Sequence, residues 1–481
     1  MISDENCGIL PDMTKVSLNF NRILALVFLP LVLYFFAAES IDKAYNKDFW
    51  GDEATDVFTT MPSSPVDMLT GHIQNQQTGS PLYFIAQHFY VSHVFKAEKA
   101  AGKGLDWRVS LRAIPLYSLM LGMILFVLLL LELAPLTAIL AVIFLTTYAQ
   151  TVWFAAETRI YATWLATCLM FLATSIRFFT DRTKVNLSLW IISIILCMSI
   201  AISSPLFIFL TAGLFVLDLL LQRSIKSDIR FILKMSAGLL VCFALFKLWN
   251  LRSNNHFSLT NFKEPFAYYV THFTKYGLDM YGGVKGLIVS ILCAVALLAL
   301  PGRFITDQRE VRLLRGIALS ALGLIFAGFA IYVAQIGVGY FFAERHVIFA
   351  LAARAILRAA VLGLIIKVLW NSEILRSFFR HKSVVVLLIF GIAIFDWANW
   401  RIKQFRAGIP STATYAKPYC SGPVYVEGLT ADQVDKSEGQ TLILSITNQK
   451  RHSGMCVNAV EADVKSNAGM VYDYNPAWIY N

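Results

Sequence analysis

Charged residues are scarce in this chain. Only 15% of its 481 residues are Asp, Glu, Lys or Arg, whereas 57% are hydrophobic, and the mean hydropathy is +0.60. About a quarter of the residues in an ordinary soluble domain carry a charge, so this composition excludes that class. The chain is therefore predicted to cross a membrane many times.

Acidic residues are fewer than basic ones. Lys and Arg outnumber Asp and Glu by 41 to 31, which gives a formal net charge of +10. In a soluble protein this excess would suggest nucleic acid. In a membrane protein it is explained by basic residues in short cytoplasmic loops, so we predict a lipid bilayer and no nucleic acid as partner.

Metal-binding motifs are missing. The chain has no His-Glu-x-x-His pattern, and the spacings of His72, His88 and His93 are not those of a zinc site. No metal ion or other cofactor is therefore indicated. The spans also lack a row of carboxylates, which argues against a transporter that moves ions or protons.

Long apolar runs are abundant. Runs of about 17 to 25 residues are long enough to cross a bilayer, and they predict an all-α domain of roughly eleven transmembrane helices. The predicted spans lie near residues 22–39, 112–133, 136–153, 160–179, 187–203, 205–222, 232–250, 286–301, 316–336, 346–370 and 383–399.

The spans divide the chain into three regions. We predict a cytoplasmic N-terminus (1–21), a transmembrane domain (22–399) with a large first outer loop (40–108), and a small extracytoplasmic C-terminal domain (400–481). Lys and Arg recur after the fourth, sixth, eighth and tenth spans, which places those loops together on the cytoplasmic side. The first span is interpreted as an uncleaved signal anchor, although a cleaved signal peptide would suit it too.

The C-terminal region is polar and contains alternating stretches typical of short strands. It holds Cys420 and Cys456. Because an extracytoplasmic compartment permits disulfides, we predict that these two cysteines are bridged.

The first outer loop opens with an acidic run, Trp50–Ala54 (WGDEA), in which Asp52 precedes Glu53. Burial and neighbouring negative charge both oppose ionisation of a carboxyl group, so one acid of such a cluster suits general-base duty at neutral pH. A solvated acidic loop is the alternative interpretation.

The very short second outer loop contains Glu157 and Arg159, followed by Tyr161. Charges this close to hydrocarbon are costly unless they are paired or used. Either Glu157 and Arg159 pair to cap a helix junction, or they form the polar wall of a cavity that faces Asp52.

Basic residues recur in the later outer loops. Arg345 and His346 stand where the tenth span begins, so a phosphate at the outer face could contact both, while pairing of Glu344 with Arg345 is the competing interpretation. Lys275 lies among aromatic residues in the fourth outer loop. That mixture suits an anionic lipid headgroup or a solvated interfacial loop.

In this order the motifs resemble those of the GT-C superfamily of membrane glycosyltransferases. The resemblance is to glycosyltransferase family 39, the branch of protein O-mannosyltransferases and lipid A aminoarabinose transferases. Trp50–Ala54 resembles the family's acidic motif and Ser80–Tyr83 (SPLY) its Pro-Pro-Leu-Tyr element. Glu157–Tyr161 resembles its Glu-x-Arg-x-Tyr motif, and Glu344–His346 stands where the family has Pro-Arg-Tyr, with His346 replacing the usual Tyr.

The resemblance implies a GT-C-like fold and an inverting transfer of a sugar from a polyprenyl-phosphate carrier, without a metal ion. The acceptor would be an envelope glycolipid such as lipopolysaccharide, or a protein, at the outer face of a bacterial inner membrane. Asp52 would be the general base, and Glu53 would orient the acceptor or hold the loop.

The resemblance also implies roles for the remaining residues. Arg345, helped by Arg159 or Lys275, would neutralise the departing phosphate. Glu157 and Tyr161 would shape the substrate cavity, and His346 would be a further substrate-binding residue.

Two other functions are compatible with a membrane protein of this kind. A lipid-linked glycan ligase or polymerase would be expected to have a large late outer loop, and here that loop is short. A transporter or flippase of lipid-linked sugars would be favoured by an inverted internal repeat, which the sequence does not show.

Overall fold

The computed structural model of the protein describes residues 20–46, 53, 64–70, 81–95, 107–201, 203–222, 225–252, 267, 270, 271, 273–338, 344–371 and 391. The helices within these ranges, in chain order, are α1 (Phe20–Asn46), α2 (Pro65–Thr70), α3 (Pro81–Phe89), α4 (Trp107–Leu111), α5 (Ala113–Leu130), α6 (Pro135–Thr147), α7 (Ala149–Ala155), α8 (Ile160–Thr180), α9 (Lys184–Ile200), α10 (Ser204–Leu221), α11 (Ile225–Arg252), α12 (Leu278–Tyr281), α13 (Gly283–Ala299), α14 (Pro301–Phe304), α15 (Gln308–Val338) and α16 (Ala350–Asn371). Shorter turns of other helical types are the π-helical Tyr90–Phe95 and Phe273–Gly277 and the 3-10 turn Glu344–Val347.

The prediction of an all-helical protein that crosses the membrane several times is confirmed. Six helices in the described ranges, α1, α5, α8, α10, α11 and α15, are long and apolar enough to span a membrane. The pair α6 and α7 makes a seventh candidate if it counts as one span, bent by 77°. Helices α9 and α13 are apolar but shorter.

The predicted total of roughly eleven spans stays a prediction. Helix α16 covers most of the tenth predicted span, but Arg354, Arg358 and Lys367 interrupt its apolar sequence. Of the eleventh span, near 383–399, the structure describes residue 391 alone, and the C-terminal domain with Cys420 and Cys456 lies outside the described residues.

Helix α8 occupies the centre of the bundle. In its most apolar window 89% of the residues are buried, and it packs against α5, α9 and α15. Gly122 of α5 allows one of these close approaches, because a Cβ atom there would lie 2.6 Å from the Cβ of Ala166. Small residues at membrane helix contacts serve this purpose. The N-terminus of α8 therefore carries the second outer loop to the middle of one end of the bundle.

Basic loops meet at the other end, which we call the basic end. Ion pairs join residues of the loop after α8 to the starts of α11 and α15, and further pairs join α15 to α10 and α16. These pairs are Arg182 with Asp228, Arg309 with Asp181, Arg315 with Asp218 and Lys367 with Glu310. The fold thus brings together basic loops that the sequence placed on one side of the membrane.

Candidate active site

Glu53 is buried in the protein at the end of the bundle opposite the basic end. Its Oε1 accepts hydrogen bonds from Arg112 Nε at 3.0 Å and from the backbone N–H of Thr158 at 2.7 Å, and its Oε2 accepts one from Arg112 Nη2 at 3.0 Å. The side chains of Glu53 and Arg112 are 0% and 1% exposed. This two-point contact fixes the carboxylate in one orientation, so Glu53 is not part of a solvated acidic loop.

Arg112 connects further segments to Glu53. Its Nη1 donates to the backbone carbonyl of Ala44, near the end of α1, at 2.6 Å. The hydroxyl of Thr158 donates to the carbonyl of Leu111 at 3.2 Å. The first outer loop, the second outer loop, α1 and the start of α5 are therefore tied together around one buried ion pair.

Arg112 is the important residue that reasoning from sequence missed. It stands at the very start of an apolar helix, where a buried cation is costly unless it has a partner. A basic residue at that position was the signal in the sequence that a buried acidic partner exists. Its partner Glu53 is 59 residues away in the chain, and no local pattern identifies such a contact.

The second outer loop is held between α7 and α8. Both charged side chains are mostly buried, Glu157 at 3% and Arg159 at 8% exposure. Arg159 Nη2 lies 3.4 Å from the hydroxyl of Tyr161, and its guanidinium lies 5.6 Å from the centre of the Tyr161 ring. The predicted motif therefore forms a compact group at the start of α8.

The same tyrosine ring contacts a residue from much later in the chain. The guanidinium of Arg345 lies 5.8 Å from the centre of the Tyr161 ring. Next to it, burial and then the positive charges of Arg345 and Arg159 lower the pKa of His346 to about 3. The imidazole is therefore neutral at physiological pH. We call Arg159, Tyr161, Arg345 and His346 the outer cluster.

Lys275 belongs to the π-helical turn Phe273–Gly277. This turn packs against the 3-10 turn Glu344–Val347, which carries Arg345 and His346. The ring of Phe273 also stacks on Tyr332 of α15, with 4.3 Å between ring centres. The structure thus places the backbone of Lys275 beside the outer cluster.

Asp52, Cys420 and Cys456 lie outside the described residues. One peptide bond joins Asp52 to Glu53. Within the described ranges, no three His, Cys, Asp or Glu side chains form a group that could hold a metal ion.

Two cavities, of about 300 and 770 Å³, lie at the basic end and are lined by none of the predicted site residues. The residues that point to chemistry gather at the opposite end. Two guanidinium groups next to a neutral imidazole form an arrangement that suits a phosphate, since guanidinium groups bind phosphate oxygens through paired hydrogen bonds.

No protein-family model and no curated protein matches this chain. Three chains of solved structures match it. The crystal structure of ArnT from Cupriavidus metallidurans bound to undecaprenyl phosphate shares 14% identity at a TM-score of 0.45, over 81% of this chain and 74% of ArnT. The archaeal oligosaccharyltransferase AglB from Archaeoglobus fulgidus, in complex with an inhibitory peptide and a dolichol phosphate, shares 12% identity at a TM-score of 0.43, over 78% of this chain.

The match covers 55% of AglB, so this chain spans about half the length of that protein. At these identities and TM-scores, the two similarities assign neither a family nor a function to this chain.

Proposed function

We propose that this protein is a membrane glycosyltransferase that moves a sugar from a polyprenyl-phosphate carrier to an acceptor at the outer face of the membrane. The observation that carries the proposal is the hydrogen bond from the backbone of Thr158 to Glu53. This hydrogen bond ties the acidic run, which contains Asp52 and Glu53, to the second outer loop, which contains Arg159. The ring of Tyr161 then connects that loop to Arg345.

The cations of the outer cluster would bind the carrier phosphate. During transfer, negative charge develops on this phosphate as its bond to the sugar breaks, and fixed cations stabilise that charge without having to reorganise. Arg345 and Arg159 would supply the guanidinium groups, and Lys275 would assist them. His346 stays neutral, so it contributes a hydrogen bond rather than a third charge.

Asp52 would act as the general base. The acceptor oxygen attacks the anomeric carbon from the side opposite the phosphate, a new carbon–oxygen bond forms, and the bond to the phosphate oxygen breaks. The hydroxyl proton passes to the Asp52 carboxylate. This geometry inverts the anomeric configuration and requires a base held in place on the acceptor side.

We assign Glu53 a positioning role rather than a catalytic one. Both of its carboxylate oxygens accept hydrogen bonds from Arg112, and one also accepts from Thr158. These donors occupy both oxygens of a fully buried carboxylate, so its orientation is fixed and it faces its partners rather than a substrate. Of the two predicted roles, holding the loop fits these contacts better than orienting the acceptor.

The end of the bundle that holds Glu53 and the outer cluster, which we call the outer end, would face the extracytoplasmic side of a bacterial inner membrane. The basic end would face the cytoplasm, because short cytoplasmic loops retain Lys and Arg. The acceptor would be an envelope glycolipid such as lipopolysaccharide, or a protein.

The first test compares the envelope glycolipids and glycoproteins of cells that carry the wild-type chain or Asp52→Asn, by mass spectrometry. We expect one sugar to be missing from one acceptor in the variant. Asp48→Asn is the matched control, because it makes the same chemical change four positions earlier and should leave the sugar in place. Full modification by an Asp52→Asn protein that is present in the membrane would contradict the proposed base.

A second test separates transfer from transport. Purified protein in detergent, supplied with a polyprenyl-phosphate sugar and an acceptor extract from cells that lack the protein, should release free polyprenyl phosphate. A flippase cannot change the carrier chemically, and in detergent there is no membrane to cross. Carrier that stays unchanged while it exchanges between leaflets of vesicles would favour the transporter.

A further inference from the structure

A second group of cations lies within the helical bundle, apart from the outer cluster. Arg354 and Arg358 are one turn apart on α16, and their guanidinium groups lie 4.3 and 5.9 Å from the centre of the Tyr148 ring. Tyr148 stands at the sharp bend between α6 and α7. We call these three residues the inner cluster.

Part of the hydrogen-bonding capacity of the inner cluster is unused. Arg354 is 7% exposed and donates from Nη1 to the carbonyls of Met280 and Asp279, at 2.8 and 3.5 Å. Its Nε is buried without a hydrogen-bond partner among the described residues. Within the described residues, neither Arg354 nor Arg358 forms an ion pair with a carboxylate.

A structural role accounts for Arg354 only in part. Gly282 has a left-handed backbone (φ 80°), and a Cβ atom there would lie 2.5 Å from Arg354 Nη2. Arg354 therefore packs against this turn and supports it through the Met280 carbonyl. This contact does not explain Arg358, which faces the same tyrosine with no carboxylate near it in the described structure.

Two like charges this close together, one of them buried, are unfavourable without a compensating anion. Charged side chains inside membrane proteins face the interior or a cavity and mark binding sites or pathways. The inner cluster thus has the features of an incomplete anion site, with a free donor and excess positive charge.

The surface below Arg358 is apolar and partly open. Val361, Leu362 and Ile365 follow Arg358 at helical spacing, so they continue the same face of α16. Arg358, Val361 and Leu362 are partly exposed, and Ile365 is 48% exposed. Exposed apolar residues on a membrane helix are suited to contact hydrocarbon chains. One face of α16 therefore presents cations at one end and an apolar stripe beyond them.

We propose that the inner cluster binds the phosphate of a lipid phosphomonoester, whose hydrocarbon chain lies along Val361, Leu362 and Ile365. A phosphomonoester carries a charge of about −1.5 to −2 at neutral pH, which matches two guanidinium groups. A phosphodiester headgroup, with a single charge, leaves one arginine uncompensated.

This site is separate from the outer cluster. Arg345 precedes α16, whereas Arg354 and Arg358 are four and eight residues beyond its first residue, Ala350, about 6 and 12 Å along the helix axis at 1.5 Å per residue. Binding of the lipid at the inner cluster does not depend on the proposed sugar transfer, and an Asp52→Asn protein should bind it equally well.

The experiment measures lipid retained by the purified full-length protein, using native mass spectrometry. The probes are a polyprenyl phosphate and phosphatidic acid, which are monoesters, and phosphatidylglycerol, which is a diester. The wild-type protein should retain the monoesters in preference to phosphatidylglycerol. Arg358→Gln should weaken that retention about ten-fold or more, since charge-assisted hydrogen bonds are lost, and Arg358→Lys should weaken it less.

The control is Arg230→Gln, which removes the same charge from an exposed arginine of α11. It should leave monoester binding unchanged. Retention of polyprenyl phosphate alone would identify a long isoprenoid ligand, and retention of both monoesters would identify the phosphate as the recognised group. Equal retention of phosphatidylglycerol, or equal losses in the Arg358→Gln and Arg230→Gln variants, would overturn the proposal.

Thermal unfolding in delipidated detergent guards against a variant that simply misfolds. Arg358→Gln removes an uncompensated charge, so without lipid it should be at least as stable as the wild type. Added monoester should raise the melting temperature of the wild type and not that of the variant. A variant that is less stable without lipid, together with a wild type that does not respond to lipid, would show that Arg358 is structural.

Discussion

The two ends of the helical bundle use charge in different ways. At the basic end, the side chains of the Arg309–Asp181 pair are 55% and 26% exposed. At the outer end, those of the Arg112–Glu53 pair are 1% and 0% exposed. Both pairs join segments that are distant in sequence, but only the second does so without access to water.

This difference sets what each pair contributes. An exposed ion pair is screened by solvent and stabilises a fold by about 1 kcal/mol or less. Removing one partner of a buried pair costs about 3–5 kcal/mol, because the other charge stays buried without compensation. The basic end can therefore lose single charges with little effect, whereas the outer end depends on each of its contacts.

The largest effect is expected from Arg112→Leu. It leaves the Glu53 carboxylate buried without its cation, so the free energy of unfolding should fall by about 3–5 kcal/mol. Thermal unfolding of the purified protein in detergent measures this. The double variant Glu53→Gln, Arg112→Leu should recover part of the loss, because Gln keeps an acceptor for the Thr158 N–H and leaves no unpaired charge. An Arg112→Leu protein as stable as the wild type would remove the contrast between the two ends.

Arg345→Gln tests whether the outer end does chemistry as well as holding the fold. On the proposed function, transfer from a polyprenyl-phosphate sugar should slow by about 10²–10³-fold, since a fixed cation that faces developing charge is lost. Arg345→Lys should be slowed less, and neither variant should lose much stability. Turnover of purified protein measures the effect, with Arg309→Gln at the basic end as the control. Equal rates for Arg345→Gln and the control would exclude Arg345 from the reaction.

His346 should make stability depend on pH. Its pKa in the folded protein is about 3, below the ordinary value of 6.5. Below pH 6.5 the unfolded chain therefore binds a proton that the folded protein does not, so stability decreases as the pH falls towards 3. Since the ring is only partly buried, we expect a loss of about 1 kcal/mol between pH 7 and pH 5.

Melting temperatures of the wild type and His346→Gln across this pH range provide the measurement. The variant lacks the titrating group, so its melting temperature should fall less on acidification. Parallel curves for the two proteins would show that the imidazole titrates normally in the folded state.

The smallest effect is expected from Arg309→Gln. It breaks an exposed pair with Asp181, so stability should change by about 1 kcal/mol or less, and by less still in high salt. Thermal unfolding at low and high salt measures this. A loss as large as that of Arg112→Leu would mean that burial does not distinguish the two ends.

The sequence by itself determined the membrane class, the helical fold and most of the helix positions. Hydrophobicity acts locally along the chain, so an apolar run of sufficient length becomes a membrane helix whatever its neighbours are. Sequence also placed the basic loops on one side and identified Arg159, Tyr161, Arg345 and His346 as candidate site residues, all of which the structure brings together.

Only the tertiary structure decided the partners. Glu53 contacts Thr158 across 105 residues, and the sharp bend at Tyr148 creates the inner cluster with two arginines of α16. Such contacts depend on how helices pack against one another, and hydropathy carries no information about which faces meet. The role of Arg112 could be recognised only from the structure for the same reason. In the sequence it is one basic residue at the start of an apolar helix, and the fold places a carboxylate beside it.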